Sequence, residues 1–150
     1  MVTLIKLILM KNLQYSGGQH IKDEGTKMFR SNYKYCSIHA MQVMNYKFRS
    51  QSRRDDLESL AYLLVQLRTG KLPWDDILNR SDLVEQEKRE KIIVSKSQPA
   101  ERICEGMRDE FVKFLRGVRS LKFDEEPHYD EYYSMFDKLL KDINPAKMYN

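Results

Sequence analysis

Between Ser52 and Asp142 apolar positions recur at helical spacing, whereas before Ser52 no sustained period is present. Leu57, Leu60, Ala61, Leu63, Leu64, Val65 and Leu67 cover nearly every face of one predicted helix. A helix that is apolar all round belongs in the middle of a protein. Ser52-Arg53-Arg54-Asp55 has the spacing of a capping box, with a hydroxyl and a carboxylate placed to take up orphan N–H groups. Gly70 can close the helix through a left-handed residue, and Pro73 prevents its resumption. Three further helices are predicted. Asp82 to about Ser95 is highly charged, with Leu83, Val84, Ile92, Ile93 and Val94 as its apolar content. Asp109 to Leu121 places Phe111, Phe114, Leu115 and Val118 at helical spacing, and His128 to about Asp142 does so with Tyr132, Met135, Phe136, Leu139 and Leu140. A shorter helix is expected over Ala100–Glu105, after Pro99.

The preceding region reads differently. Met1 to Met10 is apolar but short, is interrupted by Lys6, and has neither a basic region before it nor a small-residue cleavage site after it. It reads as a strand or a truncated internal segment rather than a signal peptide or membrane anchor. Tyr15-Ser16-Gly17-Gly18 is turn-rich, and residues 34–51 mix basic and aromatic types such as Tyr46, Lys47, Phe48 and Arg49. A long irregular region with one short strand and one short helix is expected. So long a loop is usually functional or anchored on a larger body. The chain is thus expected to be one mainly α domain: residues 1–51 a flanking loop region, 52–145 a helical core, 146–150 a tail.

Composition narrows the classes. With 150 residues, 41% hydrophobic and 32% charged, the chain can bury a real core and is globular rather than disordered. A net charge of +4 permits acidic peptides or nucleic acid as partners, but the excess is small and no nucleic-acid docking motif is present. Cys36 and Cys104 lie far apart, and His20, His39 and His128 are scattered, so no zinc site is expected. Both thiols are expected to be reduced and structural, in an intracellular protein of cytoplasm or nucleus.

One run is more specific. Ser52-Arg-Arg-Asp-Asp-Leu-Glu-Ser-Leu-Ala-Tyr62, followed by Thr69-Gly-Lys-Leu-Pro-Trp74, resembles the SRRDDLESLGY…LPW signature of casein kinase 1. Lys34-Tyr-Cys-Ser-Ile-His39 is similar to the RYASIN segment with which that family replaces A-P-E, and Gln19-His-Ile21 to its QHI. Cys104-Glu-Gly106, Glu110-Phe111 and Leu121-Lys-Phe-Asp124…Pro127-His-Tyr129 resemble its closing helices. The resemblance covers roughly residues 4–142. It implies the helical C-terminal lobe of a protein-kinase-like fold, with the N-terminal lobe absent, residues 1–51 a remnant of the activation segment and its flanking loop, and 52–145 the helical core of that lobe.

A kinase needs a Gly-rich loop, a phosphate-pairing lysine, an H-R-D loop and a D-F-G metal ligand. The resemblance implies that the first three precede this chain. It also aligns the family's LIDFGLAK with Leu4–Lys11, so that D-F-G has become Lys6-Leu7-Ile8 and a cation stands where a carboxylate should hold Mg²⁺. Other departures are Ser31-Asn32 in place of Gly-Thr, Ala61 in place of a glycine, and a few extra residues between His39 and Ser52. No catalytic, metal or cofactor residue is therefore assigned; ATP and Mg belong to the intact family.

The residues that carry the structural motif are Arg53, Arg54, Asp55, Asp56, Glu58, Pro73 and Trp74. Asp56 resembles the aspartate that hydrogen-bonds the catalytic loop, and is otherwise a helix N-terminal carboxylate favoured by the dipole. Trp74 and the run Tyr129, Tyr132, Tyr133, Phe136 are expected to serve packing. By resemblance, Lys34 and Lys88 stand where the family binds the phosphate or acidic side chains of primed substrates; the alternative is ordinary solvated surface. Two converging cations suit an oxyanion, although lysine lacks the arginine fork. Arg53, Arg54, Arg89 and Lys91 could extend such a patch. Three functions stay open: a casein kinase 1-like domain, partial and catalytically silent as given; a fragment of a longer active kinase; and a non-enzymatic module for acidic or phosphorylated protein segments. Neither a membrane nor a specific nucleic acid is expected as partner, and self-association through exposed apolar surface is.

Overall fold

The computed structural model of the protein describes residues 15–16, 19–20, 32–44, 47–48 and 50–143. The Met1–Met10 segment, the Lys6-Leu7-Ile8 replacement, Ser31 and the tail at 146–150 lie outside the described residues. Two small antiparallel ladders pair β1 (Tyr15–Ser16) with β2 (Gln19–His20), and β3 (Val43–Met44) with β4 (Lys47–Phe48). Between them lies α1 (Ile38–Met41), whose N-terminus is capped by the Ser37 hydroxyl accepting from Ala40 N at 3.0 Å. The helical body follows as α2 (Arg53–Thr69), α3 (Asp75–Leu78), α4 (Glu85–Lys96), α5 (Ala100–Ile103), α6 (Asp109–Ser120) and α7 (Tyr129–Ile143). The protein is mainly α, and among the described residues the irregular region carries two ladders where one short strand was expected.

Helix α2 forms where the apolar run predicts it. Its carboxylate arm is closed, with Ser52 N donating to Asp55 Oδ2 at 2.6 Å. The Ser52 hydroxyl faces the Asp55 N–H to complete the box, in a poorly aligned contact. The helix stops at Gly70, which adopts φ 81° and donates its N–H to Gln66 O at 2.8 Å. A side chain there meets no neighbour, so only backbone strain opposes it. Gly70→Ala is accordingly expected to cost about 1 kcal/mol, read as a lower denaturation midpoint. An unchanged midpoint would show that this terminus relaxes freely.

Leu57, Leu60, Ala61, Tyr62, Leu64 and Val65 of α2 are buried, while Leu67 at its end is 69% exposed, so the all-round burial stops one turn short of the C-terminus. Phe114, Leu115 and Val118 of α6 and Ile92 of α4 pack in the same core, as do Cys36, Ala40 and Met41 from the irregular region. Phe114 meets Tyr132 and Phe136 of α7 edge-on, at ring separations of 5.0 and 5.3 Å. The expected aromatic packing run divides at this helix: Tyr129, Tyr132 and Phe136 lie on the core, while Tyr133 faces solvent.

Two boundaries differ from the sequence expectation by more than one residue. The charged helix starts at Glu85 rather than Asp82, because Asp82 is held in the preceding turn by Arg80, whose Nε donates to Asp82 Oδ1 at 2.5 Å. Helix α5 ends at Ile103 rather than Glu105, ahead of a turn through Gly106 at φ 75°.

Candidate functional site

Residues 33–37 and Ile38 at the start of α1 are anchored by polar side chains from the helical body. Trp74 Nε1 donates to Lys34 O at 2.8 Å. Lys96 Nζ donates to Tyr33 O at 2.8 Å and to Cys36 O at 2.5 Å. Ser37 Oγ donates to Asp55 Oδ1, and Ile38 N donates to Glu58 Oε1 at 3.2 Å. Irregular backbone carries polar groups that cannot be buried unpaired, so these side chains are what permit Cys36 and Ser37 to enter the core.

Behind the segment lies a buried polar cluster. Tyr62 Oη donates to Glu58 Oε1, and Arg119 reaches both, with Nη2 donating to Tyr62 Oη at 2.9 Å and Nε 3.7 Å from Glu58 Oε1. Lys96 is fully buried, with its ammonium 4.8 Å from the ring centres of both Tyr62 and Trp74. Desolvation dominates the titration of Lys96, Glu58 and Tyr62. It holds Lys96 down at about 8, against the opposing pull of Cys36 and Glu58. It raises Glu58 above the ordinary carboxylate range, although Tyr62 and Arg119 pull the other way, and pushes Tyr62 well above the ordinary phenol. The Cys36 and Cys104 thiols rise to about 11 by burial, which makes both unreactive structural thiols, free of any disulfide.

Lys34 and Lys88 each end on a carboxylate: Lys34 Nζ lies 3.2 Å from Asp75 Oδ1, and Lys88 Nζ lies 3.9 Å from Glu85 Oε1. The Tyr33 phenol, beside Lys34 in sequence, is raised first by burial and then by the nearby Glu85 carboxylate. Arg53 and Arg54 do not extend a surface patch. Both are buried, with Arg53 Nη2 donating to Asp124 O at 3.0 Å and Arg54 Nη1 to Leu121 O at 2.9 Å, so their charges close the loop after α6. Arg89 stacks over Phe48 at 5.5 Å, and Lys91 is exposed. Asp56 is an exposed first-turn residue whose carboxyl is nonetheless raised to about 6, first by partial desolvation and then by Asp55 beside it. Trp74 is fully buried, with Tyr62 edge-on at 4.8 Å, which is the expected packing role plus a hydrogen bond the sequence did not announce.

Sequence reasoning missed Lys96 and Arg119. Lys96 ends a charged run, but it falls four residues after the buried Ile92, and that i, i+4 placement is the signal that could have found it. Pro73 is exposed beside α3, a turn too short for periodicity to reveal. Among the described residues no cluster of His, Cys, Asp and Glu is placed to hold a metal, and no helix is long and apolar enough to cross a membrane.

No protein-family model matches the chain. Individual curated proteins do. The chain is 40% identical over 129 residues to casein kinase 1-like protein HD16 of Oryza sativa subsp. japonica, which covers 84% of this chain and 16% of that protein. It is 37% identical over 124 residues to casein kinase I homolog 2 of Schizosaccharomyces pombe, covering 82% of this chain and 27% of the relative. Casein kinase I homolog 1 of the same yeast is 33% identical over 130 residues, 86% of this chain and 27% of that protein. The chain therefore spans from 16% to 27% of the length of these relatives.

Proposed function

Because the chain belongs to the casein kinase 1 family, as a partial kinase domain of the helical lobe, we propose that its 150 residues bind acidic or phosphorylated protein segments without transferring a phosphoryl group themselves. The supporting observation is the anchoring of residues 33–38. That segment, which carries Lys34, is fixed to the helical body at five points. A lysine held on such a segment can meet an oxyanion without a large ordering cost, and Lys88 is the second cation the reading assigns to it. A phosphoserine peptide is expected to bind the wild type weakly. It should lose binding to a Lys34→Ala, Lys88→Ala protein, with added salt imitating the loss. Equal binding by both proteins dismisses the site.

The sequence contains no Gly-rich phosphate loop, no His-Arg-Asp and no Asp-Phe-Gly. Phosphoryl transfer rests on positioning and on neutralising charge at the γ-phosphate, and each missing device is worth on the order of 10²–10³ in rate. The chain as given is expected to show no radiolabel transfer to casein, and transfer by the purified chain would overturn this part of the reading. The two free buried thiols suit a reducing, intracellular compartment. Leu67, Val84, Val94, Tyr133, Leu140 and Ile143 are exposed, which supports weak self-association; a sharply monomeric sedimentation profile would count against that.

A second reading, a fragment of a longer active kinase, is favoured by the small share of each relative that the chain matches. A native species well above 17.9 kDa in its source would support it, and a species of that mass would dismiss it.

A further inference from the structure

The ammonium of Lys34 already has an anion, and it comes from the protein itself. Asp75 sits in the first turn of α3, directly after Trp74, and its two carboxylate oxygens do different things. Oδ2 accepts from Leu72 N at 2.9 Å, which fixes the carboxylate to its own turn. Oδ1 faces Lys34 Nζ at 3.2 Å. Trp74 meanwhile holds the carbonyl of the same lysine at 2.8 Å. The dipeptide Trp74-Asp75 therefore grips Lys34 at both backbone and side chain. The lysine side chain is 29% and the aspartate side chain 20% exposed, while Asp75 Oδ1 itself is shielded from solvent and has no hydrogen-bond donor, so the Lys34 ammonium is its nearest compensating charge.

We propose that Asp75 is a built-in competitor for the Lys34 cation, so that an acidic or phosphorylated segment binds there only by displacing a carboxylate the protein supplies. This rests on the anion-binding reading of Lys34 given above and adds its regulation. An incoming phosphate has to break the ion pair and then lie beside a negative charge it has just displaced. Removing the charge while keeping the turn releases both penalties. Asp75→Asn does so, because an amide oxygen can still accept from Leu72 N. Asp76 is the control: it is exposed, adjacent, of the same charge, and outside the Lys34 ion pair.

The experiment is a titration of a fluorescent phosphoserine peptide into the full chain at low salt. Asp75→Asn is expected to bind about two- to five-fold more tightly than wild type, the scale of a partly exposed ion pair. Asp76→Asn should show a smaller change, and adding Lys34→Ala to Asp75→Asn should remove the gain. Wild type and Asp75→Asn binding equally would overturn the competitor role while leaving the anion site standing. A gain that survives Lys34→Ala, or that Asp76→Asn matches, would also overturn it by assigning the effect to net charge. Absence of peptide binding by every variant would overturn both the competitor and the reading beneath it.

Discussion

Lys96→Ala is expected to lower folding stability by about 3–5 kcal/mol, and Lys96→Met by about 2 kcal/mol. The alanine protein loses two things together. It leaves the carbonyls of Tyr33 and Cys36 without their donor, and it opens a void between the rings of Tyr62 and Trp74. Methionine fills most of that void and avoids burying a charge, so the remaining cost is that of the two unpaired carbonyls. Glu58 is not orphaned in either case, because Tyr62 and Arg119 still face it. Trp74 is the only tryptophan in the chain, so intrinsic indole fluorescence during denaturation reports this site directly. A Lys96→Ala protein within about 1 kcal/mol of wild type would show that water replaces the ammonium easily.

The same lysine predicts a pH signature. Lys96 titrates near 8 in the folded protein against an ordinary value of 10.5, so above pH 8 the unfolded chain holds the extra proton. Stability contributed by this group therefore rises with pH from 8 towards 10.5. Cys36 and Cys104, raised from 9.0 to about 11, act in the opposite sense once pH passes 9. The window in which Lys96 dominates is thus pH 8 to 9. Wild type should gain stability relative to Lys96→Met across it, and a constant difference would mean that the amine does not titrate there.

Where the sequence was readable, the reason is periodicity on long elements. Helix α2 is apolar on nearly every face over most of its length, and α6 and α7 repeat apolar residues on one face over three turns or more. Gly70 announced the end of α2 because a left-handed terminus has few other occupants. Helix α3 and the two ladders lie below the length at which a period exists. The polar anchors were hidden for another reason. Glu58, Lys96, Arg53 and Arg54 belong to residue types that normally mark surface, and they are buried here because each meets backbone that irregular segments leave unpaired. Those backbone partners lie up to 71 residues away, as for Arg53 and Asp124, a pairing that no local pattern encodes. The position of Lys34 was legible only through its family motif, and its carboxylate partner only through the fold.

Trp74 offers the sharpest separation between core and site. Trp74→Ala is expected to cost about 3–5 kcal/mol, since a fully buried indole leaves a cavity that Tyr62 and Lys96 cannot fill. Trp74→Phe keeps an aromatic face for Lys96 and an edge contact for Tyr62, so most of that loss should be avoided. What phenylalanine cannot supply is the N–H to Lys34 O, and an acceptor left short of its donor costs about 1–3 kcal/mol where water cannot reach it. The cost should appear locally first. Lys34 would keep its charge but lose the tether that fixes its backbone against α3, while the bonds from Lys96, Asp55 and Glu58 still hold Tyr33, Cys36, Ser37 and Ile38. Amide exchange should therefore rise at residues 34 and 35 more than at 37 and 38, with helical circular dichroism unchanged. Weaker phosphoserine-peptide binding should accompany it, the opposite sign from Asp75→Asn, although the two residues are neighbours gripping one lysine. A Trp74→Phe protein with wild-type exchange and wild-type binding would show that the indole N–H is dispensable and that the ring alone shapes the site.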